Sequence, residues 1–375
     1  EVVVIASNLN DLDEQKGELD VTINGNDLRM AQAIDGNWYA YFADKTMATR
    51  ADETNLKKPE EPENFGDTAG TGLDFGGFCG PSTTDTDIVG SSGGFPQTEG
   101  FAIARSFEGG KIKEEDDAEV VPTHATTPFV DCVFIGPLDD PDTLSVYSSG
   151  VVNHVVREAK KLNTNNAVEI GQIGLVEETW PIIQLYDFTP NQDVKIIYNE
   201  GGNAEFVYLK FDDLEDLLFI KFDNESFPSR AELHITLQDN QLNIDPTDED
   251  SWTFDVNPST LKTIYQMYDE NGNNAAQGNG DTEVDILPDL NSLGYGKNGF
   301  LKIIADAQDV GINNLEEDPS SLIVGSPPII PLNFDVTLVE TQANSGIFGT
   351  WDWNDNSNID VATDAQRETS AIIEY

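Results

Sequence analysis

The chain has 375 residues with 69 acidic and 20 basic side chains, which gives a formal net charge of −49. This imbalance disfavours nucleic acid and anionic lipid as partners, because both require neutralisation by lysine and arginine. Hydrophobic residues make up 38% of the chain, too much for a disordered acidic tail, and no apolar run within it is long enough to cross a bilayer as a helix.

The first part of the chain predicts an antiparallel β-meander. Apolar residues alternate over residues 19–23, turn residues occupy 24–27, and residues 28–34 return as a second strand. Residues 35–36 form another tight turn before a third strand at 38–42.

Residues 46–127 lack a regular period and are predicted to form a long surface insertion. This insertion contains Cys79, and the strand predicted at 127–135 contains Cys132. In an exported protein the two cysteines would form a disulfide that stabilises the fold by roughly 3–4 kcal/mol. The alternative to this disulfide is that both cysteines are buried free thiols.

A helix is predicted over residues 151–162, because its apolar residues recur on one face and its basic residues lie on the other. The domain boundary is placed after this helix. The predicted domains are residues 1–165, with the insertion 46–127, and residues 166–375, where a division near residue 250 stays open.

The second half again predicts strands. A hairpin joins residues 194–198 to 204–211, a short helix starts at Asn257, and a closing hairpin turns at residues 344–346. Short strands with regular turn signals and few helices favour an all-β fold. We predict tandem immunoglobulin-like β-sandwich domains with long loop insertions.

The sequence gives no support for catalysis. Residues 90–94 match the G-x-S-x-G pattern, but Pro96 follows closely and disfavours the helix that a nucleophile elbow requires. The three histidines are far apart in sequence and lack the spacing of a metalloprotease motif. We therefore predict a protein that is not an enzyme and has no organic cofactor.

Hard-cation binding has two candidate loops, since alternating Asp and Asn side chains can present several oxygen ligands to Ca²⁺ or another divalent cation. Their candidate ligands are Asp352, Asn354, Asn356, Asn358 and Asp360 in the first loop, and Asp269, Asn271 and Asn273 in the second. Ordinary turn chemistry is the alternative, because neither loop has the glycine and final glutamate of an EF-hand. Diffuse accumulation of small cations around the acidic chain is expected in either case.

One acceptor pattern for N-glycosylation is present at Asn224, which is followed by Glu225 and Ser226. A turn at the end of a strand would give the same residues. The pattern at Asn257 is disqualified by Pro258.

Three stretches carry a resemblance to a known family. They are residues 8–44, residues 251–274 with WTFDVNP and YQMYDENGN, and residues 332–375 with VTLVET, SGIFGTWDWNDNSNI and SAIIEY. These stretches resemble the surface-layer proteins of ammonia-oxidising archaea. The resemblance carries no active-site residues.

The resemblance implies a secreted, acidic chain of tandem immunoglobulin-like domains that assembles with copies of itself into a two-dimensional lattice on the cell surface. Members of the family are far longer, so this chain is expected to be a part of one. The porous layer would enrich small cations, ammonium among them, over anions. A secreted adhesin or ligand-binding module stays open as an alternative, and a secreted hydrolase is a weaker one.

Overall fold

The structure is a computed structural model. It describes residues 1–9, 19–54, 72–73, 75, 77–79, 97–103, 111–113, 119–120, 133–135, 155, 181–189, 192–210, 218–257, 259–268, 284–304, 310–312, 335–350, 357, 359–361, 365, 367–368 and 370–375.

The chain divides into two compact units. The first consists of Glu1–Glu53, Phe75–Gly150 and Val156–Asp212, and the second of Thr54–Asp74, Val151–Val155 and Asp213–Tyr375. The first unit thus includes strands beyond residue 165, near which the sequence predicted a boundary.

The described part of the first unit consists mainly of short strands. They are β1 (Val2–Val4), β2 (Val21–Ile23), β3 (Asn26–Asp27), β4 (Ala31–Gln32), β5 (Trp38–Asp44), β6 (Gly77–Cys79), β7 (Gly100–Ile103), β8 (Lys111–Lys113), β9 (Glu119–Val120), β10 (Val133–Ile135), β11 (Ile182–Tyr186), β12 (Val194–Glu200) and β13 (Asn203–Leu209). Helix α1 spans Lys45–Glu53 and follows β5 directly. The carboxylate of Asp44 caps it by accepting a 2.9 Å hydrogen bond from the backbone N–H of Met47.

Two sheets of the first unit share one hydrophobic core. Their strand orders are β1-β5-β11-β7-β6, with β4 also paired to β5, and β13-β12-β2-β3. The core takes Trp38 and Ala40 from the first sheet, and Val21, Ile23 and Ile196 from the second. Apolar faces of two sheets that meet in one layer are the basic arrangement of a β-sandwich.

The first sheet is mixed, because β11 runs parallel to β5 in the register Ile183↔Tyr41 to Tyr186↔Asp44. Parallel neighbours cannot be joined by a tight turn and need a long crossover. The chain between these two strands includes β6 to β10.

The predicted meander is divided between the two sheets. Strand β2 pairs with β3, whereas β4 pairs with β5. Leu28 and Met30 lie between β3 and β4 and are buried in the shared core. Both tight turns were predicted correctly, but the middle strand changes sheet, which local patterns do not reveal.

Part of the predicted surface insertion builds the core. Strand β7 lies between β11 and β6, and its residues Phe101 and Ala102 are buried together with Phe78 of β6. Residues 46–127 therefore contribute strands to the central sheet, as well as most of α1. Short apolar runs among glycines carried too little signal to be recognised as strands.

The described part of the second unit contains β14 (Phe219–Phe222), β15 (Ile235–Gln238), β16 (Ser251–Asp255), β17 (Lys262–Tyr265), β18 (Lys302–Ile304), β19 (Val310–Ile312), β20 (Asp335–Glu340), β21 (Ile347–Gly349), β22 (Ile359–Val361) and β23 (Ile372–Glu374). A 3₁₀ helix spans Leu287–Leu293. The main sheet has the order β14-β15-β21-β20-β16-β17, and β18 pairs with β23 and β19 with β22.

The closing hairpin is formed by β20 and β21, which pair at Val339↔Gly349 and Glu340↔Phe348. Asn344 and Gly346 adopt left-handed conformations with φ of 60° and 62°. These are the residue types that reverse the chain at low steric cost. The predicted turn at residues 344–346 is confirmed.

The helix predicted to start at Asn257 is wrong. Asn257 accepts a hydrogen bond on its side-chain oxygen from the N–H of Ser259, but the chain then enters strand β17. Strand β17 pairs with β16 from Trp252↔Tyr265 to Asp255↔Lys262. Leu261, Ile264, Tyr265 and Tyr268 have the spacing of one helix face, but pairing with β16 overrides this local pattern. The other predicted helix, at residues 151–162, lies outside the described residues except for Val155.

The all-β class predicted from the sequence is confirmed, since the described elements form several mainly antiparallel sheets. The immunoglobulin-like topology stays a prediction. None of the helices in the described ranges is long and apolar enough to span a membrane.

Candidate interaction surface

The hairpin β12–β13 forms because of its turn residues. Gly201 and Gly202 have φ of 53° and 104°, conformations that residues with a Cβ rarely adopt. The two strands then pair over their full length, from Glu200↔Asn203 to Val194↔Leu209.

Strand β13 is exposed along its whole length. Four consecutive large side chains are solvent-exposed by 50–61%: Phe206, Val207, Tyr208 and Leu209. Elsewhere in the described chain, large exposed apolar side chains do not occur in such a run. Large apolar side chains exposed in such a run indicate a candidate interaction site.

The register explains why Val207 and Leu209 are exposed. Val207 lies opposite Ile196 and Leu209 opposite Val194, and directly opposed residues share a face of the sheet. Ile196 and Val194 are buried in the core, so Val207 and Leu209 lie on the core-facing side of β13. The core does not extend over β13, and these two side chains remain uncovered.

The opposite face of β13 carries an aromatic pair next to a lysine. The rings of Phe206 and Tyr208 are 5.6 Å apart in an edge-to-face arrangement. The Nζ atom of Lys195 lies 4.9 Å from the centre of the Phe206 ring and 5.8 Å from that of Tyr208. This cation–π contact fixes the two rings in an exposed position.

Within the described part of the chain, no strand pairs with the outer edge of β13. In β12, Lys195 accepts a backbone bond from Asn24, and Asn199 donates one to Asp20, so these residues point towards β2. Because bonding direction alternates along a strand, the residues between them bond to β13. On β13 the backbone groups of Ala204, Phe206 and Tyr208 consequently point away from the sheet.

The hairpin carries no net charge, although the chain as a whole is strongly acidic. Between residues 194 and 210 its charged side chains are Lys195, Glu200, Glu205 and Lys210. Two positive and two negative charges cancel here, whereas the whole chain has a net charge of −49. Another acidic surface can therefore approach the hairpin with less repulsion than elsewhere.

A group of buried carboxylates lies in the second unit. Asp250 is fully buried and accepts hydrogen bonds from the N–H of Asp245 at 3.0 Å and from the hydroxyl of Tyr265 at 2.7 Å. Burial raises its pKa well above the ordinary value, and the charges of Asp245 and Glu340 add to the effect. Hydrogen bonding partly offsets the cost of burying this carboxylate.

Glu340 and Asp239 also accept hydrogen bonds from nearby loops. Glu340 accepts bonds of 2.6 Å from the N–H groups of both Ser345 and Gly346, inside the closing hairpin. Asp239 accepts bonds from the Tyr375 hydroxyl at 2.6 Å and the Asn298 amide at 3.0 Å. Burial raises the pKa of both carboxyl groups. These carboxylates act as structural acceptors that hold loops in place.

Of the predicted cation ligands, the structure describes only Asp360. It lies in β22 opposite Gly311, and Ile359 beside it is buried. Burial, together with the charge of Glu232, raises the pKa of Asp360. Asp360 therefore lies in a strand and not in the loop that the sequence predicted.

The remaining predicted cation ligands lie outside the described residues. They are Asp352, Asn354, Asn356, Asn358, Asp269, Asn271 and Asn273. Within the described part of the chain, no group of three or more His, Cys, Asp and Glu side chains is arranged to hold a metal ion. Binding of Ca²⁺ at either loop stays a prediction.

The disulfide and the glycosylation site also stay predictions. The backbone of Cys79 lies in β6, whereas Cys132 lies outside the described residues. Asn224 is exposed, and its side-chain amide donates a 2.9 Å hydrogen bond to Asp223.

The sequence predicts the β12–β13 hairpin but not its exposure. The run Phe206–Leu209 is apolar at every position, which usually indicates a strand buried on both faces. The zero net charge of residues 194–210 also distinguishes this hairpin from the acidic average of the chain, but it appears only when charge is counted segment by segment. The buried carboxylates gave no signal among so many acidic residues.

Comparison with known proteins does not place the chain in a family. No protein-family model matches it, and a search of curated proteins found no match.

Proposed function

We propose that this chain is a structural protein of the surface-layer type, which assembles with copies of itself into a porous acidic layer on the outside of a cell. The observation that carries the proposal is the exposed edge of β13. A strand edge with free backbone groups and apolar side chains is a template for pairing with another chain, and natural proteins usually protect such edges. Retaining one in a highly charged chain is consistent with a role in assembly.

The charge supports the second part of the proposal. A layer with this density of carboxylates produces a surface potential of several kT, which concentrates small cations and repels anions. In an ammonia-oxidising cell, ammonium would be one of the enriched cations. Within the layer, neighbouring acidic surfaces repel one another, and Ca²⁺ or another divalent cation would bridge them.

The proposal includes the domain type and the location inferred from the sequence. Tandem immunoglobulin-like sandwiches would give each copy rigid units, and a disulfide between Cys79 and Cys132 with a glycan on Asn224 would suit an extracellular protein. No chemistry on a substrate is required.

Concentration-dependent association of the purified chain tests the proposal. Light scattering is followed as protein concentration rises, in millimolar Ca²⁺ and in chelator. We expect growth into large particles in Ca²⁺ that reverses on chelation. A chain that stays monomeric at all concentrations in both buffers contradicts self-assembly, and the adhesin alternative then becomes the better account.

A further inference from the structure

We propose that two copies of the chain join through β13, which pairs antiparallel with β13 of the second copy about a two-fold axis at Val207. The inference rests on the proposed function, since it names the partner of the β13 surface. It adds a specific register, a symmetry and a continuous sheet across two copies.

The symmetry restricts the registers that are available. A two-fold axis through an antiparallel pair places one residue directly opposite its own copy. The outward backbone groups belong to Ala204, Phe206 and Tyr208, so these positions make the new hydrogen bonds. With Val207 on the axis, Phe206 lies opposite the second copy's Tyr208, and Tyr208 lies opposite its Phe206.

The side-chain pattern is complementary to itself in this register. Phe206, Val207 and Tyr208 read as aromatic, β-branched and aromatic in either direction along the strand. Aromatic pairs across strands and β-branched neighbours are favourable contacts in antiparallel sheets. A second copy therefore supplies matching groups at each of these positions.

The charges favour the same register. With Val207 on the axis, Glu205 lies opposite Leu209 of the other copy, and Lys210 lies opposite Ala204, so no like charges face each other. With Phe206 on the axis, the two Glu205 side chains become diagonal neighbours about 7–8 Å apart, which is unfavourable. With Tyr208 on the axis, Phe206 lies opposite Lys210 of the other copy, so only one aromatic pair forms across the strands instead of two.

Self-association of this chain is opposed by its large negative charge. Two copies are therefore expected to join where the local charge is low, and β13 lies in such a region. Two chains of −49 repel each other wherever acidic surfaces meet. At the hairpin the two lysines and two glutamates cancel, and the residues nearest the axis, Phe206, Val207 and Tyr208, carry no charge. Charge thus allows self-association here, and the exposed Val207 would gain cover from Val207 of the second copy.

A cysteine at the axis tests the register directly. Two residues opposite each other at a non-hydrogen-bonded position have Cα atoms about 4.5 Å apart, within the range that a disulfide spans. We therefore expect Val207→Cys to form a covalent dimer as the main species under mild oxidation, seen on a non-reducing denaturing gel. Wild-type chain, which has the same native cysteines, reports any background.

Asn203→Cys is the matched control, because Asn203 lies on the same strand and is exposed. In the proposed register it is separated from its copy by about 27 Å along the strands and cannot cross-link. Equal or stronger cross-linking at Asn203 overturns the register. Circular dichroism melting curves for both variants verify that each is folded.

Two further outcomes separate this inference from the proposed function. If folded Val207→Cys assembles in Ca²⁺ but gives no more covalent dimer than wild type, β13 pairing is wrong and self-assembly stands. If neither variant associates or cross-links, both proposals fail. Val207→Lys places two positive charges at the axis and is expected to abolish the dimer. If this variant dimerises as well as the wild-type chain does, the inference is contradicted.

Discussion

The hydroxyl of Tyr265 donates a 2.7 Å hydrogen bond to the carboxylate of Asp250, and both side chains are completely buried. Tyr265 belongs to β17, and Asp250 immediately precedes β16, so the bond joins the start of one strand to the end of its neighbour. The same carboxylate interacts unfavourably with Asp245 and Glu340. We therefore expect the stability of the second unit to depend on pH.

We predict that the second unit is more stable at mildly acidic pH than at neutral pH. The pKa of Asp250 in the folded state is raised well above its ordinary 3.8, and that of Glu340 is raised above 4.5. The folded state therefore binds protons more tightly than the unfolded state. This contribution to stability is fully present below the ordinary pKa values and is lost as pH rises through the raised ones. Urea unfolding between pH 4 and pH 8 measures it.

Asp250→Asn separates this effect from general charge repulsion. Its amide can accept from the backbone N–H of Asp245 and donate to the Tyr265 oxygen, so the fold is expected to remain while the pH dependence becomes weaker. Asp223→Asn removes a charge from an exposed position of the same unit and should keep the wild-type slope. An unchanged slope in Asp250→Asn would show that the buried carboxylate does not control pH sensitivity.

Gly346→Ala is predicted to destabilise the closing hairpin by about 1–3 kcal/mol, since strain at a left-handed backbone adds to a steric clash. Gly346 has φ of +62°, and an added Cβ would lie 2.1 Å from Oδ1 and 3.2 Å from the Cα of Asn240. Gly201→Ala is the matched control, because its φ is +53° and its Cβ would meet nothing within 4 Å. Thermal or urea unfolding compares the two, and equal losses would show that the clash at Asn240 contributes nothing.

The tight turns could be predicted from the sequence because local residues determine their backbone conformation. Asn344 and Gly346 specify the closing turn, and Gly201 and Gly202 specify the β12–β13 turn, because their left-handed conformations suit few other residues. Such turns fix which neighbouring strands pair. The mainly antiparallel β class followed from them.

Features that depend on distant pairing were not predictable. Ile264 and Tyr265 fit a helical spacing, yet they lie in β17 because β16 offers a free edge to pair with. The parallel pairing of β5 with β11 joins residues far apart in sequence. The exposure of Val207 depends on where the core of the first unit ends, which no local pattern records.

The disulfide between Cys79 and Cys132 is checked by alkylation under denaturing, non-reducing conditions. We expect no label on either cysteine in the intact mass spectrum. Reduction should then expose both thiols and lower the free energy of unfolding by roughly 3–4 kcal/mol on the chain-entropy account. Label on both cysteines before reduction would show that Cys79 and Cys132 are free thiols and not a disulfide.

Assembly is predicted to require millimolar Ca²⁺ or Mg²⁺. At ~0.15 M, monovalent salt screens charges beyond about 8 Å but leaves closer carboxylates repelling, whereas a divalent ion can bridge them. Asp352→Asn combined with Asp360→Asn should raise the Ca²⁺ concentration at which light scattering appears. Because Asp360 lies in β22, melting curves are needed to show that the variant is folded. Assembly in chelator at physiological monovalent salt would contradict bridging.

Electron microscopy of the negatively stained, purified chain in Ca²⁺ distinguishes an ordered layer of this protein from simple aggregation. We expect the wild-type chain to form two-dimensional sheets whose diffraction shows a regular lattice. We expect Val207→Lys to form no such sheets under the same conditions. Isolated particles or disordered aggregates from the folded wild-type chain, at every protein and Ca²⁺ concentration, would contradict assembly into an ordered layer.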